Sequence, residues 1–301
     1  MPMLSTANTD SVRCTTSSDS TWEWALARPH PSLSPGVRGY RGFRLDLGRE
    51  RQRWDAPDGL VSLWLFNDEL TVFLADGGYR GRLVGHAMSG LRTGVRVARH
   101  LGYLEGVEVL LEPWAAYSLC AVPMDQLVNR LVRPEEILGS RVRILAERIA
   151  DSPSWADRFA HLDTALLGWL EHGPPCAPQV ESAWRALAAT GGMTPIRRLV
   201  HESGWGWRQL DSRFREQIGL SPKTAARVLR LRRALHRLDA TGDAAGTAAV
   251  CGFSDQAHLC REMRAMAGRT PRRYLAERAT ATTAPAWDRD SGAATVTVSD
   301  V

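Results

Sequence analysis

Two stretches of this chain repeat each other at an offset of 49 residues. Leu210, Phe214, Gly219, Ser221 and Pro222 recur as Leu259, Met263, Gly268, Thr270 and Pro271. Upstream of each stands a glycine followed by an aromatic residue, Gly204-Trp205 and Gly252-Phe253. Glycine can adopt the left-handed conformation that closes a helix, a hydroxyl can cap the next one, and proline at a first helical position loses nothing by lacking its N–H. The same Gly-x-Ser/Thr-Pro joint occurs a third time at Gly192-Met-Thr194-Pro195. Each copy therefore reads as helix, tight turn, helix, which is the helix-turn-helix plan, and three joints in so short a span predict a compact array of short helices.

The periodicity of the second helices separates their faces. In the first copy Leu210 and Phe214 lie four apart and point inward, leaving Arg208, Gln209, Asp211, Ser212 and Arg215 outward. In the second, Leu259, Met263 and Met266 form the apolar stripe, leaving Gln256, His258, Arg261 and Arg264 outside. Arg, Gln, Ser and His are side chains that read base edges or hold phosphates; a solvated helix face is the plainer alternative. Between the copies, Pro222–Asp239 reads as one long helix with Val228, Leu231, Leu235 and Leu238 on one side and Arg230, Arg233 and Arg237 on the other. Such a spacer would present two reading helices to successive major grooves about 34 Å apart.

Charge divides the chain in the same place. The protein has 301 residues and a net charge of +5, yet residues 180–278 hold 18 basic and 9 acidic side chains, so the excess lies in this block and suits a polyanion partner.

Residues 180–278 resemble the DNA-binding domain of the AraC/XylS family of transcription regulators. The resemblance is carried by Cys251-Gly-Phe-Ser-Asp-Gln-Ala-His-Leu259 and Gly268-Arg-Thr-Pro-Arg-Arg-Tyr274. It implies a seven-helix domain with two helix-turn-helix units, and places base-facing roles on Arg208, Asp211, Ser212, Gln256, Ala257, His258 and Arg261. Three residues depart from the family's pattern: Val200 where Ala is usual, Met263 where Phe is usual, and Leu275 where Arg often follows the Tyr. Asp211 is unusual on a DNA face because a carboxylate repels phosphate; it suits a cytosine amine, or orients Arg208 or Arg215.

Toward the N-terminus the pattern is different. Phe43, Leu45 and Leu47 alternate with Arg44 and Asp46, and Val107, Val109 and Leu111 alternate around Glu108, which predicts a small barrel or sandwich over residues 40–120. From residue 124 the period becomes helical, with Leu127 and Leu131 four apart and Phe159, Leu162, Leu166 and Trp169 on one stripe. Gly173-Pro-Pro-Cys-Ala-Pro178 is a stiff linker. In similar regulators the other domain is a cupin-like β-barrel followed by helices. The whole is thus expected as an α+β chain: disordered 1–24, a cupin-like sensory domain 25–123, a helical extension 124–173, a linker 174–179, the all-α DNA-binding domain 180–278 and a disordered tail 279–301.

Trp54, Trp64, Tyr79, Trp114 and Tyr117 are candidates to line an effector pocket, with plain core packing the alternative; a small barrel has room for one small ligand. His86 and His100 stand alone, without the His-x-His and following carboxylate of a metal-dependent cupin, so no metal, cofactor or catalytic residue is expected. Phosphate-loop, dinucleotide and nucleophile-elbow motifs are missing. The five cysteines form no C-x-x-C pair, and the most apolar window, Val107–Met124, is broken by Glu108, Glu112, Pro113 and Pro123. Together with a first segment that lacks an apolar core, these features predict a cytoplasmic protein without a membrane span; the family resemblance implies a bacterial one. The expected partners are double-stranded DNA, a small-molecule effector and RNA polymerase. Helices within 125–172 offer either a homodimer surface or domain packing alone. The rival readings are a cupin-like enzyme with an appended DNA-binding domain and an architectural DNA protein.

Overall fold

A computed structural model describes residues 9–17, 20–66, 72–76, 79–83, 85–280 and 295–298. The N-terminal half is a sheet. Its strands are β1 (Thr9–Ser17), β2 (Ser20–Ala27), β3 (Val37–Asp55), β4 (Val61–Phe66), β5 (Val72–Asp76), β6 (Tyr79–Leu83), β7 (Ala87–Ser89), β8 (Arg96–Leu111), β9 (Leu131–Val132) and β10 (Thr295–Val298). The main path runs β1-β2-β3-β8-β4-β7-β9, with β10 added to β3 and the β5-β6 hairpin to β8. The long strands β3 and β8 pair antiparallel from Val37↔Leu111 to Asp55↔Arg96, and that ladder is the backbone of the domain.

The expected barrel is not closed: among the described residues no pairing joins β1 to β9. Helices cover one face instead. Tyr40 stacks on Phe159 at 5.8 Å, and a Cβ at Gly42 would lie 2.4 Å from the Trp155 ring, so glycine there lets the helix lie directly on the strand. Tyr40 also donates to Asp163 at 2.8 Å. On the other face Arg41 and Glu108, directly opposite in register, form a buried pair at 3.1 Å.

The segments expected to be disordered hold β1, most of β2 and β10, while residues 1–8, 281–294 and 299–301 lie outside the described residues. Trp22, Trp24 and Leu26 alternate through β2, a period that the polar run before them obscures.

The helices are α1 (Pro113–Cys120), α2 (Glu135–Leu138), α3 (Arg141–Ala150), α4 (Trp155–Glu171), α5 (Pro178–Ala189), α6 (Ile196–Ser203), α7 (Trp207–Ile218), α8 (Pro222–Thr241), α9 (Ala244–Val250), α10 (Gln256–Ala267) and α11 (Pro271–Thr280). The helix expected through Leu127 and Leu131 is a 3-10 turn at Met124–Leu127 followed by β9, because Pro123 and Pro134 bracket it and Asn129 takes a positive φ of 58°. Seven helices, α5 to α11, make up the C-terminal part. Among the described residues no helix is long and apolar enough to cross a membrane.

One apolar core runs through both halves, from Val37 and Trp54 to Leu235 and Tyr274. Trp184 of α5 donates to Glu112 at 2.6 Å, and burial raises the Glu112 carboxyl above its ordinary range. Arg232 of α8 donates to the Asp58 carbonyl at 3.3 Å, and burial pulls its guanidinium below the usual range.

Candidate nucleic-acid interface

The two repeated units are built as their spacing demands. Leu210, Phe214, Leu259 and Met263 are fully buried, with Met266 beside them, so each reading helix is anchored by its apolar stripe. Gly219 and Gly268 take the left-handed conformation at the ends of α7 and α10. The Ser221 hydroxyl caps α8 by accepting from Thr224 N at 3.1 Å, and Thr270 accepts from Arg273 N at 3.2 Å. The third joint differs: Thr194 does not cap α6 but donates back to the Ala186 carbonyl at 3.0 Å, and Pro195 stands before the first turn.

With the apolar stripes buried, the other faces turn outward. Arg208, Gln209, Ser212 and Arg215 of α7 are exposed, as are Gln256, Ala257, Arg261 and Arg264 of α10. Asp211 is half-buried. It accepts from Arg215 Nε at 2.9 Å, so it orients Arg215 rather than Arg208, while its Oδ1 is buried with no partner among the described residues. His258 is held in the turn: its Nδ1 faces the Ser254 amide at 3.2 Å and its ring meets Phe253 edge-on at 5.3 Å.

The starts of the two helices are unlike. Asp255 caps α10 by accepting from His258 N at 2.6 Å, and this backbone donor holds its carboxyl below the ordinary range. Gly206 precedes α7 and has no side chain to cap with. Trp207, the first residue of α7, is 45% exposed, and sequence reasoning passed over it. The signal was available, since Trp207 falls at the same offset from Gln256 that relates the two copies.

Arg227 of α8 grips Glu262 of α10 through two bonds, at 2.9 and 3.1 Å, fixing the second unit to the spacer helix. The spacer itself is buried on more than one side. Val228, Leu231, Leu235 and Leu238 face the core as expected, and Ala225 and Leu229 are buried too. A Cβ at Gly59 would lie 3.0 Å from Leu229 Cδ2, so this flank of α8 rests on the sheet domain.

Residues 199–277 match the protein-family model described as a helix-turn-helix domain. This is an AraC-type helix-turn-helix domain. Its two units are α6–α7 and α9–α10, and the AraC-type domain is a DNA-binding one. A search of curated proteins finds no match. Among solved structures, ToxT from Vibrio cholerae is similar at 10% identity, covering 75% of this chain and 96% of that one, with a TM-score of 0.43. A structure of ToxT bound to (E)-4-(8-methylnaphthalen-1-yl)but-3-enoic acid is similar at 10% identity, covering 75% and 97%, with a TM-score of 0.44. The nucleoside dehydratase Pac13 is similar over 35% of this chain and 80% of its own, at 8% identity and a TM-score of 0.23.

Of the aromatic residues considered for a pocket, Trp54 packs on Tyr274 at 6.1 Å, Trp64 lies under Arg96 and Trp114 under Arg185. Tyr117 packs against the core, and the side chain of Tyr79 lies outside the described residues, as does that of His100. Partly buried His86 accepts from Phe66 N at 3.2 Å, and burial lowers its pKa. Among the described residues no three His, Cys, Asp or Glu side chains converge as a metal site requires.

Proposed function

We propose that this protein is a sequence-specific transcription regulator of the AraC/XylS type, which places α7 and α10 in successive major grooves of duplex DNA. The observation that carries this is the pair of helices in register, each anchored by a buried stripe and each presenting a different set of exposed polar residues. Two unlike faces suit a composite, non-palindromic site; binding to phosphates alone would need no such difference. Arg208 and Ser212 in one head, and Gln256 and Arg261 in the other, read bases. Arg215 and Arg264, further along each helix, hold phosphate.

The N-terminal sheet domain adjusts this activity in response to a small molecule or a protein partner such as RNA polymerase, in the cytoplasm. Its position ahead of the DNA-binding domain supports this role. Ligand-induced shifts in thermal unfolding test it, and no shift with any of a broad metabolite panel counts against it.

The DNA reading is tested by selecting binding sites from random duplexes with the full chain and footprinting the winner at several salt concentrations. Two protected major-groove segments about one helical turn apart support it. Binding without enrichment, falling steeply and uniformly with salt, overturns it.

A further inference from the structure

We infer that the N-terminal sheet fixes the distance between the two reading helices, so that residues on its seams with the DNA-binding domain determine which half-site spacing the protein accepts. This rests on the DNA-reading role proposed for α7 and α10.

The sheet domain touches both heads at the ends remote from the residues that read. At the first seam, α1 and the Met124–Leu127 turn pack along α7. Gly219, with φ of 103°, closes α7 against them: a Cβ there would lie 3.0 Å from the Met124 carbonyl and 3.1 Å from Val128 Cγ2. At the second seam, Gly268 at the end of α10 faces Val95, the Arg269 guanidinium lies 5.7 Å from the centre of the Trp54 ring, and Trp54 packs on Tyr274 of α11. Between the seams, Leu229 and Arg232 of α8 rest on Asp58 and Gly59.

The sheet side of these contacts is stiff. Trp54 pairs with Val97 across β3 and β8, and Arg92 donates to the Asp55 and Ala56 carbonyls at 2.8 and 3.1 Å, pinning the chain that leads to Gly59. One rigid body that grips two heads sets the distance between them, whereas the spacer helix, which holds the second head through Arg227 and Glu262, leaves the first to be set by the sheet side. With the sheet docked, Arg208, Ser212, Gln256 and Arg261 remain exposed, so the docked arrangement is one that can read DNA.

The experiment uses the full-length chain and its selected site. Affinity is measured on duplexes whose two half-sites are moved one base pair closer or further apart. The wild-type protein should lose about tenfold in affinity for either shift, the scale of one lost base contact. Trp54→Ala should flatten this profile while leaving the base preference within each half and the salt dependence unchanged, and Trp54→Phe should restore it.

Because Trp54 is a core residue, Arg269→Gln and Val128→Asp provide independent tests, one at each seam and both at partly exposed positions; each should flatten the profile too. A wild-type spacing profile in both of these variants overturns the inference, as does an equal loss of affinity at every spacing, which would show the seams to be merely stabilising. Failure to select any site overturns the regulator reading and this inference with it.

Discussion

The two heads of the DNA-binding domain share a plan but are held by different means. The second head is capped by its own Asp255, has His258 tied into its turn, and is bolted to the spacer helix by Arg227 and Glu262. The first head has a bare Gly206 before its reading helix and an exposed Trp207. Its reading helix lies against α1 and the Met124–Leu127 turn of the other half of the molecule as well as against α5. The second head therefore carries more of its own fixation, and the first borrows from the sheet domain. A displacement of the sheet domain has its shortest route into the DNA-binding domain through α7.

The largest expected effect removes an anchor. Phe214→Ala should cost about 3–5 kcal/mol and Met263→Ala about 2–5 kcal/mol in denaturant unfolding. If the first head depends on the sheet domain, Phe214→Ala should also loosen α1, seen as faster hydrogen exchange there, whereas Met263→Ala should leave α1 unchanged. Next come the readers. Arg208→Ala and Arg261→Ala should each cost about 1–3 kcal/mol of discrimination and relax preference in different halves of the selected site. Relaxation in the same half would break the comparison outright.

A third expectation concerns acid. The Asp255 carboxyl is held below its ordinary range by the His258 amide, so its capping is present at neutral pH and is lost as pH falls below the ordinary aspartate range and through the native value. Protection of the first-turn amides of α10, corrected for intrinsic exchange, should fall in that window. Asp255→Ala should abolish the dependence, and α7, lacking a capping carboxylate, should show none. The smallest effect belongs to the partly exposed Arg227–Glu262 pair. Arg227→Ala should cost under about 1 kcal/mol in unfolding, yet loosen α10 more than α7 by hydrogen exchange.

Much of the C-terminal architecture is legible in the sequence, because its rules are local. The buried stripes of α7 and α10 follow from residues three and four apart, and the turns from glycine and proline. The seams are a different matter. Trp54 reads as an apolar residue in a strand, which says nothing of Tyr274, its distant partner. Arg232 belongs to an arginine-rich helix whose charged side looks solvated, yet it lies against Asp58. Barrel closure misled for a related reason. Period-two alternation shows that a strand has a buried face, and it cannot say whether another strand or helix α4 covers it. Leu127 and Leu131 have helical spacing, but flanking prolines decide the outcome.

Gln217, in the last turn of α7, accepts from the Ala177 amide at 2.9 Å and from the Cys176 thiol at 3.2 Å. Burial pushes that thiol up to about 12, so at neutral pH it keeps its proton and remains a donor. The linker between the halves is thus fastened to the recognition helix itself. A proline-rich joint of this kind ordinarily acts as a stiff spacer that holds two bodies apart. Here it works as a crank, and any rotation of the sheet half about residues 174–177 also turns α7.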